Sequence, residues 1–326
     1  NMKGLQLLNG FFWVLLIALT SACKSDKYSR VFSPVNLESE FFKIKAGKDT
    51  SFTSRQGVVI EIPAQTFFRR EPNGIVTLEV KIALDVEDMI LGGLSTVDSS
   101  GTLLESAGMV FINAEPKQPI NPDFPIRIKI PAQRLNPAMQ VFRLHDEKNP
   151  AAGWVESSAL ANAGAIAATE KGQASAGPAT DSVVAPVKFY ELEFREFGWV
   201  NVDYFPEDMV GVDPFEISLE KPELAGFVEI IVVFNRRKIV VMTEPDKLIY
   251  RLMGSRGKPK IRLPLGEVVQ IIGSGKSADG KYWFGVMDAK IRETNQYTLE
   301  FRQSTADALY RFVKVPSHLN MPSRSQ

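Results

Sequence analysis

Val76-Thr77-Leu78-Glu79-Val80-Lys81-Ile82-Ala83-Leu84 decides the fold. Apolar side chains at Val76, Leu78, Val80, Ile82 and Leu84 alternate with Thr77, Glu79, Lys81 and Ala83. A strand points successive side chains to opposite faces, so this segment has one dry face and one wet face. The same period returns at Ile126, Ile128 and Ile130 around Arg127 and Lys129, and at Tyr190, Leu192 and Phe194 around Glu191 and Glu193. Turn formers separate the runs: Glu71-Pro72-Asn73-Gly74, Ser99-Ser100-Gly101, Pro119 to Pro125, and Asn149-Pro150. No long stretch carries a helical period. Many short strands with one wet face predict an antiparallel β-sandwich over 38–205. Ile62-Pro63-Ala64-Gln65 and Ile130-Pro131-Ala132-Gln133 each close a β run, because proline has no N–H to give to a ladder.

Residues 159–186 break this pattern. Ala, Gly, Ser and Thr dominate there, and large apolar side chains are few before Val183. Such a segment buries too little surface to offset its ordering entropy, which predicts a flexible surface loop within the sandwich. An alanine-rich helix over 159–171 is the alternative, weakened by Gly164 and Gly172. Residues 206–214 then read as a linker, and 215–316 as a second small β domain, sandwich or barrel. Its Phe227–Phe234 run is nearly all apolar, which predicts a central strand covered on both faces. Asn235-Arg236-Arg237-Lys238 reads as a solvated hairpin turn, and Ser304 as the cap of a short helix over Thr305–Phe312. A disordered tail is expected at 317–326. The fold class is all-β: two antiparallel sandwich or barrel-like domains behind an N-terminal export signal.

That signal occupies residues 1–22. Lys3 supplies a positive start, Phe11–Leu19 an unbroken apolar run of nine residues, and Thr20-Ser21-Ala22 small residues before Cys23. A bilayer-spanning helix needs about 20 apolar residues, so a retained anchor or a plain secretory signal is the weaker reading. The pattern resembles the signal peptide and lipobox of bacterial lipoproteins, in a relaxed, Bacteroidetes-like form with Thr20 where Leu is usual. The resemblance implies that Cys23 is lipidated and becomes the mature N-terminus, with 23–37 as its spacer. It implies a lipid-anchored place in the cell envelope, at the outer membrane, and a membrane partner through the lipid. Cys23 is the sole cysteine, so the rest of the chain forms no disulfide and no thiolate metal site.

A second resemblance covers about half the chain. Gly57-Val58-Val59-Ile60-Glu61-Ile62-Pro63-Ala64-Gln65-Thr66-Phe67, Ser106-Ala107-Gly108-Met109-Val110-Phe111 and Ile126-Arg127-Ile128-Lys129-Ile130-Pro131 resemble segments of the sandwich domain shared by ankyrins and netrin receptors. The matching signals are apolar, Gly and Pro, so they imply a fold and no chemistry. Some relatives of that domain cleave themselves at His-Phe-Ser. The nearest counterpart here, Glu196-Phe197-Gly198, has neither the base nor the nucleophile, so no self-cleavage is expected.

Formal charge is zero, with 38 basic and 38 acidic side chains, which argues against nucleic acid as a partner. The chain has two histidines, His145 and His318, and no phosphate loop, zinc signature or dinucleotide fingerprint. No cofactor is implied. His145-Asp146-Glu147 sets a base beside carboxylates, but no Ser or Cys nucleophile is tied to it. The acidic groups Asp85, Glu87, Asp88 and Glu207, Asp208, Asp213 lack the Gly or Asn spacing of a calcium loop. Tyr282-Trp283-Phe284 cannot all face inward on a strand covered on one side, so Trp283 is a candidate platform for a sugar ring or protein partner, or else part of a core pair. Phe68 and Arg69 form a second candidate surface, or else a core plug and a solvated cation. The expected function is a non-enzymatic envelope lipoprotein that binds or scaffolds a protein. A cell-surface glycan-binding module and an envelope hydrolase are the alternatives.

Overall fold

In the computed structural model, which describes residues 31–67, 74–146, 153–157, 167–171 and 187–314, the deciding stretch is an inner strand of a sheet. β4 (Ile75–Ala83) pairs antiparallel with β1 (Glu40–Lys45) on one side and β5 (Glu105–Glu115) on the other. Val76, Leu78, Val80 and Ile82 are buried, as the alternation requires. With β11 (Gly198–Tyr204), β7 (Gln140–Leu144) and β8 (Trp154–Glu156) they form a six-stranded sheet, β1-β4-β5-β11-β7-β8.

A five-stranded sheet covers its dry face. In order it contains β2 (Thr50–Thr53), β3 (Val59–Ile62), β6 (Ile126–Ala132), β10 (Val187–Phe194) and β9 (Ala167–Lys171). Ile60, Leu78, Ile112, Ile128, Leu192 and Val202 interdigitate between the two sheets. This is the antiparallel sandwich read from the sequence. Its edge strand β9 lies within the segment expected to be a flexible loop, and Ala167–Lys171 pairs with the start of β10. Small side chains give no apolar alternation, whereas the ladder itself needs only backbone N–H and C=O groups.

The second half forms an eight-stranded sheet, curled into a half-barrel. It runs β20 (Asn295–Leu299), β13 (Phe215–Leu219), β16 (Ile249–Leu252), β15 (Ile239–Asp246), β14 (Val228–Phe234), β18 (Val268–Lys276), β19 (Tyr282–Lys290) and β21 (Arg302–Ser304). Every pairing is antiparallel except that of β13 with β20. β12 (Val210–Val212), inside the stretch read as a linker, forms a short ladder with β17 (Ile261–Leu263). β14 is covered on both faces, as its composition predicts. Val228, Ile230, Val232 and Phe234 enter the half-barrel core, while Ile231 and Val233 point the other way.

Those two residues enter a third core, a seam shared by the half-barrel and the six-stranded sheet. Phe142, Trp154 and Trp199 come to it from the sandwich, and Val240 and Ile272 from the half-barrel. Two short helices pack into it side by side, α1 (Val86–Gly92) and α2 (Ala308–Lys314). The sequence predicts α2 but starts it too early: Ser304 ends β21 and caps nothing, and the helix begins at Ala308, after a turn at Ala306 and Asp307. The sequence hides α1, because seven residues buried on nearly every side show no amphipathic period. The chain preceding β1 is strapped across the same seam. Phe32 is buried in it, and the Glu229 Oε2 accepts from the backbone N–H of Val31 at 2.8 Å and of Phe32 at 3.2 Å. Two glycines allow the halves their closest approach. Gly101 and Gly254 both have positive φ, and a Cβ on Gly101 would stand 2.7 Å from the Gly254 carbonyl oxygen. Among the described residues no helix is long and apolar enough to cross a membrane.

Candidate functional site

Cys23, Phe68 and Arg69 lie outside the described residues. Trp283 sits on β19, half-buried against the half-barrel core, and its indole N–H donates to the Ser277 hydroxyl at 3.0 Å. Its neighbour Phe284 points to the opposite face and meets Phe312 of α2 at 5.3 Å between ring centres. Tyr282 lies under the Lys276 ammonium, 5.2 Å from the ring centre. Adjacent aromatics alternate as a strand demands, and both faces of this sheet are covered. Trp283 is therefore a packed and internally bonded side chain rather than a flat open platform.

Asp88, Asp208 and Asp213, singled out in the sequence, are occupied in holding the fold. Asp88 is buried on α1, accepting from the Gln56 amide at 3.0 Å and pairing with Lys314 of α2 at 2.8 Å. Asp213 pairs with Lys260 at 2.6 Å and accepts from Thr294 at 3.0 Å, and these contacts hold its carboxyl below the usual carboxylate range. Arg237, from the turn read as solvated, bonds Glu267 at 2.6 Å and Asp208 at 2.8 Å, and approaches Glu105 of the sandwich at 3.8 Å. Its guanidinium pulls the Asp208 carboxyl down, whereas burial pushes Glu105 up and lifts its hydrogen-bond partner Tyr204 to about 12. Lys238 donates to the Leu84 carbonyl at 3.0 Å, a second tie across the seam. His145 is exposed, with its backbone N–H on the Gly153 carbonyl. Among the described residues no three His, Cys, Asp or Glu side chains gather as metal ligands.

One polar cluster on the seam face of the six-stranded sheet escaped sequence reasoning. Ser106, Asn201 and Asp203 are all buried there, beside Met109 and Phe142. The Ser106 hydroxyl donates to Asn201 Oδ1 at 2.8 Å, the Asn201 amide donates to Asp203 Oδ2, and Asp203 Oδ1 has no partner. A bulge at Ala107, which has no partner on β11, brings Ser106 opposite Asp203. Burial pushes the Asp203 carboxyl up to about 8, with the Ser106 and Asn201 hydrogen bonds offsetting only part of it. Polar residues in alternating positions read as a wet face, so nothing in the sequence distinguishes Asn201 and Asp203 from solvated residues.

The other missed feature is open. Strand register on the outer face of the five-stranded sheet lines up Ser51, Glu61, Arg127 and Glu193 as one cross-strand row. A trough of about 510 Å³ is lined by Ser51, Glu61 and Arg127 from this row and by Asp49, Gln65 and Phe124 from the adjoining loops. Its walls are fixed. Glu61 Oε1 accepts from the almost fully buried Lys129 ammonium at 2.5 Å, and Asp49 Oδ1 from the Ala64 N–H at 2.7 Å. The buried Thr66 hydroxyl donates to the Phe124 backbone carbonyl at 2.9 Å, which anchors the main chain there, and Phe124 is 38% exposed at the rim. A second trough of similar volume, lined by Phe111, Lys117 and Phe197, lies on the six-stranded sheet. No protein-family model matches this chain, and no curated protein matches it.

Proposed function

We propose that the chain is a non-enzymatic lipoprotein of the bacterial cell envelope, anchored at the outer membrane through lipid on Cys23, whose β body works by binding a partner. One observation carries the binding half of this reading. Three carboxylates of the acidic groups singled out in the sequence, Asp88, Asp208 and Asp213, are committed to Lys314, Arg237 and Lys260, while the outer sheet leaves a rigid polar trough open. A group held in a structural ion pair is poorly placed to move a proton, whereas a fixed trough is suited to selective, reversible contact. The anchor half is supported by the Phe11–Cys23 pattern. Fractionation of cells carrying wild type and Cys23→Ala tests it. The wild type is expected with membranes and the variant in the soluble envelope fraction, and a variant that stays with membranes overturns the anchor. Crosslinking in intact envelopes tests the binding half: a specific crosslinked species is expected, and a chain that crosslinks to nothing overturns it.

A further inference from the structure

We propose that the trough at the end of the five-stranded sheet is a binding site for a neutral glycan. This deepens the binding reading above and rests on it. The argument starts from the chemistry of the lining. Glu61, Arg127, Asp49 and Gln65 carry planar groups with two donor or acceptor atoms side by side. A pair of vicinal sugar hydroxyls presents two hydrogen-bonding atoms at a matching spacing, so such groups grip it in bidentate fashion. A sugar ring also has an apolar C–H face, which needs a flat apolar wall. Phe124, exposed at the rim between Asp123 and Pro125, supplies one.

Charge narrows the class further. The carboxylates Asp49, Glu61 and Asp123 outnumber Arg127 and the Lys129 ammonium bonded to Glu61, so a polyanion meets net repulsion. A lysine-rich peptide would suit the carboxylates, but Arg127 stands in the floor row between Glu61 and Glu193, where it repels an incoming cation. A neutral ligand rich in hydroxyls satisfies both signs of charge at once. The volume of about 510 Å³ falls within the range of roughly 300–1,000 Å³ typical of small-ligand sites. The fixed positions of the Glu61 and Asp49 carboxylates and of the Phe124 main chain reduce the ordering entropy lost on binding.

Native electrophoresis of the full chain tests this, through gels containing a neutral β-glucan, a mannan or an arabinoxylan, with polygalacturonate as the anionic counterpart. The wild type is expected to be retarded by at least one neutral polymer. Arg127→Ala and Phe124→Ala are each expected to weaken that binding on the order of tenfold or more. Unchanged melting temperatures identify these variants as folded. The assignment is overturned if no neutral polymer retards the wild type, if both folded variants are retarded like it, or if only polygalacturonate retards it. Fluorescence anisotropy with a lysine-rich peptide gives a further arm, and binding of that peptide through Arg127 and Phe124 in place of any polymer also overturns it. Envelope crosslinking separates the two levels. A wild type that crosslinks but ignores every neutral polymer loses the glycan assignment and keeps the binding reading. One that does neither loses both.

Discussion

Arg237 and Arg127 each stand beside glutamates, yet their surroundings differ. Arg237 has only about a fifth of its side chain exposed and bonds Glu267 and Asp208 at the edge of the seam. Arg127 is exposed in the trough, in register with Glu61 and Glu193, and its guanidinium makes no hydrogen bond or ion pair among the described residues. At the seam the partner of each charge is another part of the chain, and pairing offsets the cost of taking both out of water. At the trough Glu61 and Glu193 take Lys129 and Arg195 as partners, and the Arg127 guanidinium aligned between them by strand register is left unpaired among the described residues. Closure therefore marks the region that holds the molecule together, and openness the region available to a ligand.

If the seam is structural, its largest side chain must matter most. Trp154 is fully buried there, and its indole N–H donates to the Ser95 carbonyl at 2.5 Å. Trp154→Ala leaves a cavity and an unsatisfied carbonyl, so we expect a loss of about 3–5 kcal/mol in chemical denaturation. A loss under about 1 kcal/mol would mean that the halves are held by something other than this core.

Asp203 gives the seam a pH signature. Its carboxyl titrates at about 8 in the folded chain, against about 3.9 when unfolded. Between these values the folded state keeps a proton that the unfolded state releases. The stabilising term is complete below pH ~4 and is lost as pH rises to about 8, at roughly 1.4 kcal/mol per pH unit. Asp203→Asn removes the titration, so its stability, measured by denaturation across this range, should lack the Asp203 slope. Parallel slopes in the two proteins would place the carboxyl in contact with water.

The contrast between regions also explains what the sequence made legible. Val76 to Leu84 and Phe227 to Phe234 announce their strands because burial on one or both faces leaves a direct pattern in the residue types. β9 left no such pattern, since Ala167-Ala168-Thr169-Glu170-Lys171 has no apolar alternation in sequence and is a strand through its backbone ladder with β10. Tyr282-Trp283-Phe284 seemed to require an exposed ring only because one face was assumed wet, and the seam provides a second dry face. The trough was hidden for another reason. Ser51, Glu61 and Arg127 are far apart in sequence, and only the registers β2–β3 and β3–β6 bring them into one row. Asn201 and Asp203 were concealed because alternation shows which residues share a face, and not what covers it.

The strap before β1 extends the comparison to a smaller effect. Glu229 accepts two backbone N–H groups, from Val31 and Phe32, and so holds the strap to the half-barrel. Glu229→Ala leaves both donors without this carboxylate, and we expect about 1–3 kcal/mol of destabilisation. Hydrogen exchange at those two amides reports the same event locally. Exchange as slow as in the wild type would show that the buried Phe32 ring, and not Glu229, fixes the strap.

The smallest expected effect is the most discriminating, because it compares the same substitution in both regions. Arg237→Ala strips the partners from Asp208 and from the largely buried Glu267, and should cost about 1–3 kcal/mol after allowance for partial exposure. Its Tm should fall further at low salt than at high salt, because part of the lost attraction is screened by ions. Arg127→Ala removes an exposed side chain with no partner to orphan, and should shift stability by less than about 0.5 kcal/mol in either direction. If the two variants melt together, the difference in burial between seam and trough has no energetic meaning. If Arg127→Ala proves the more damaging, Arg127 holds the sandwich together, and the trough is a structural joint rather than an open site.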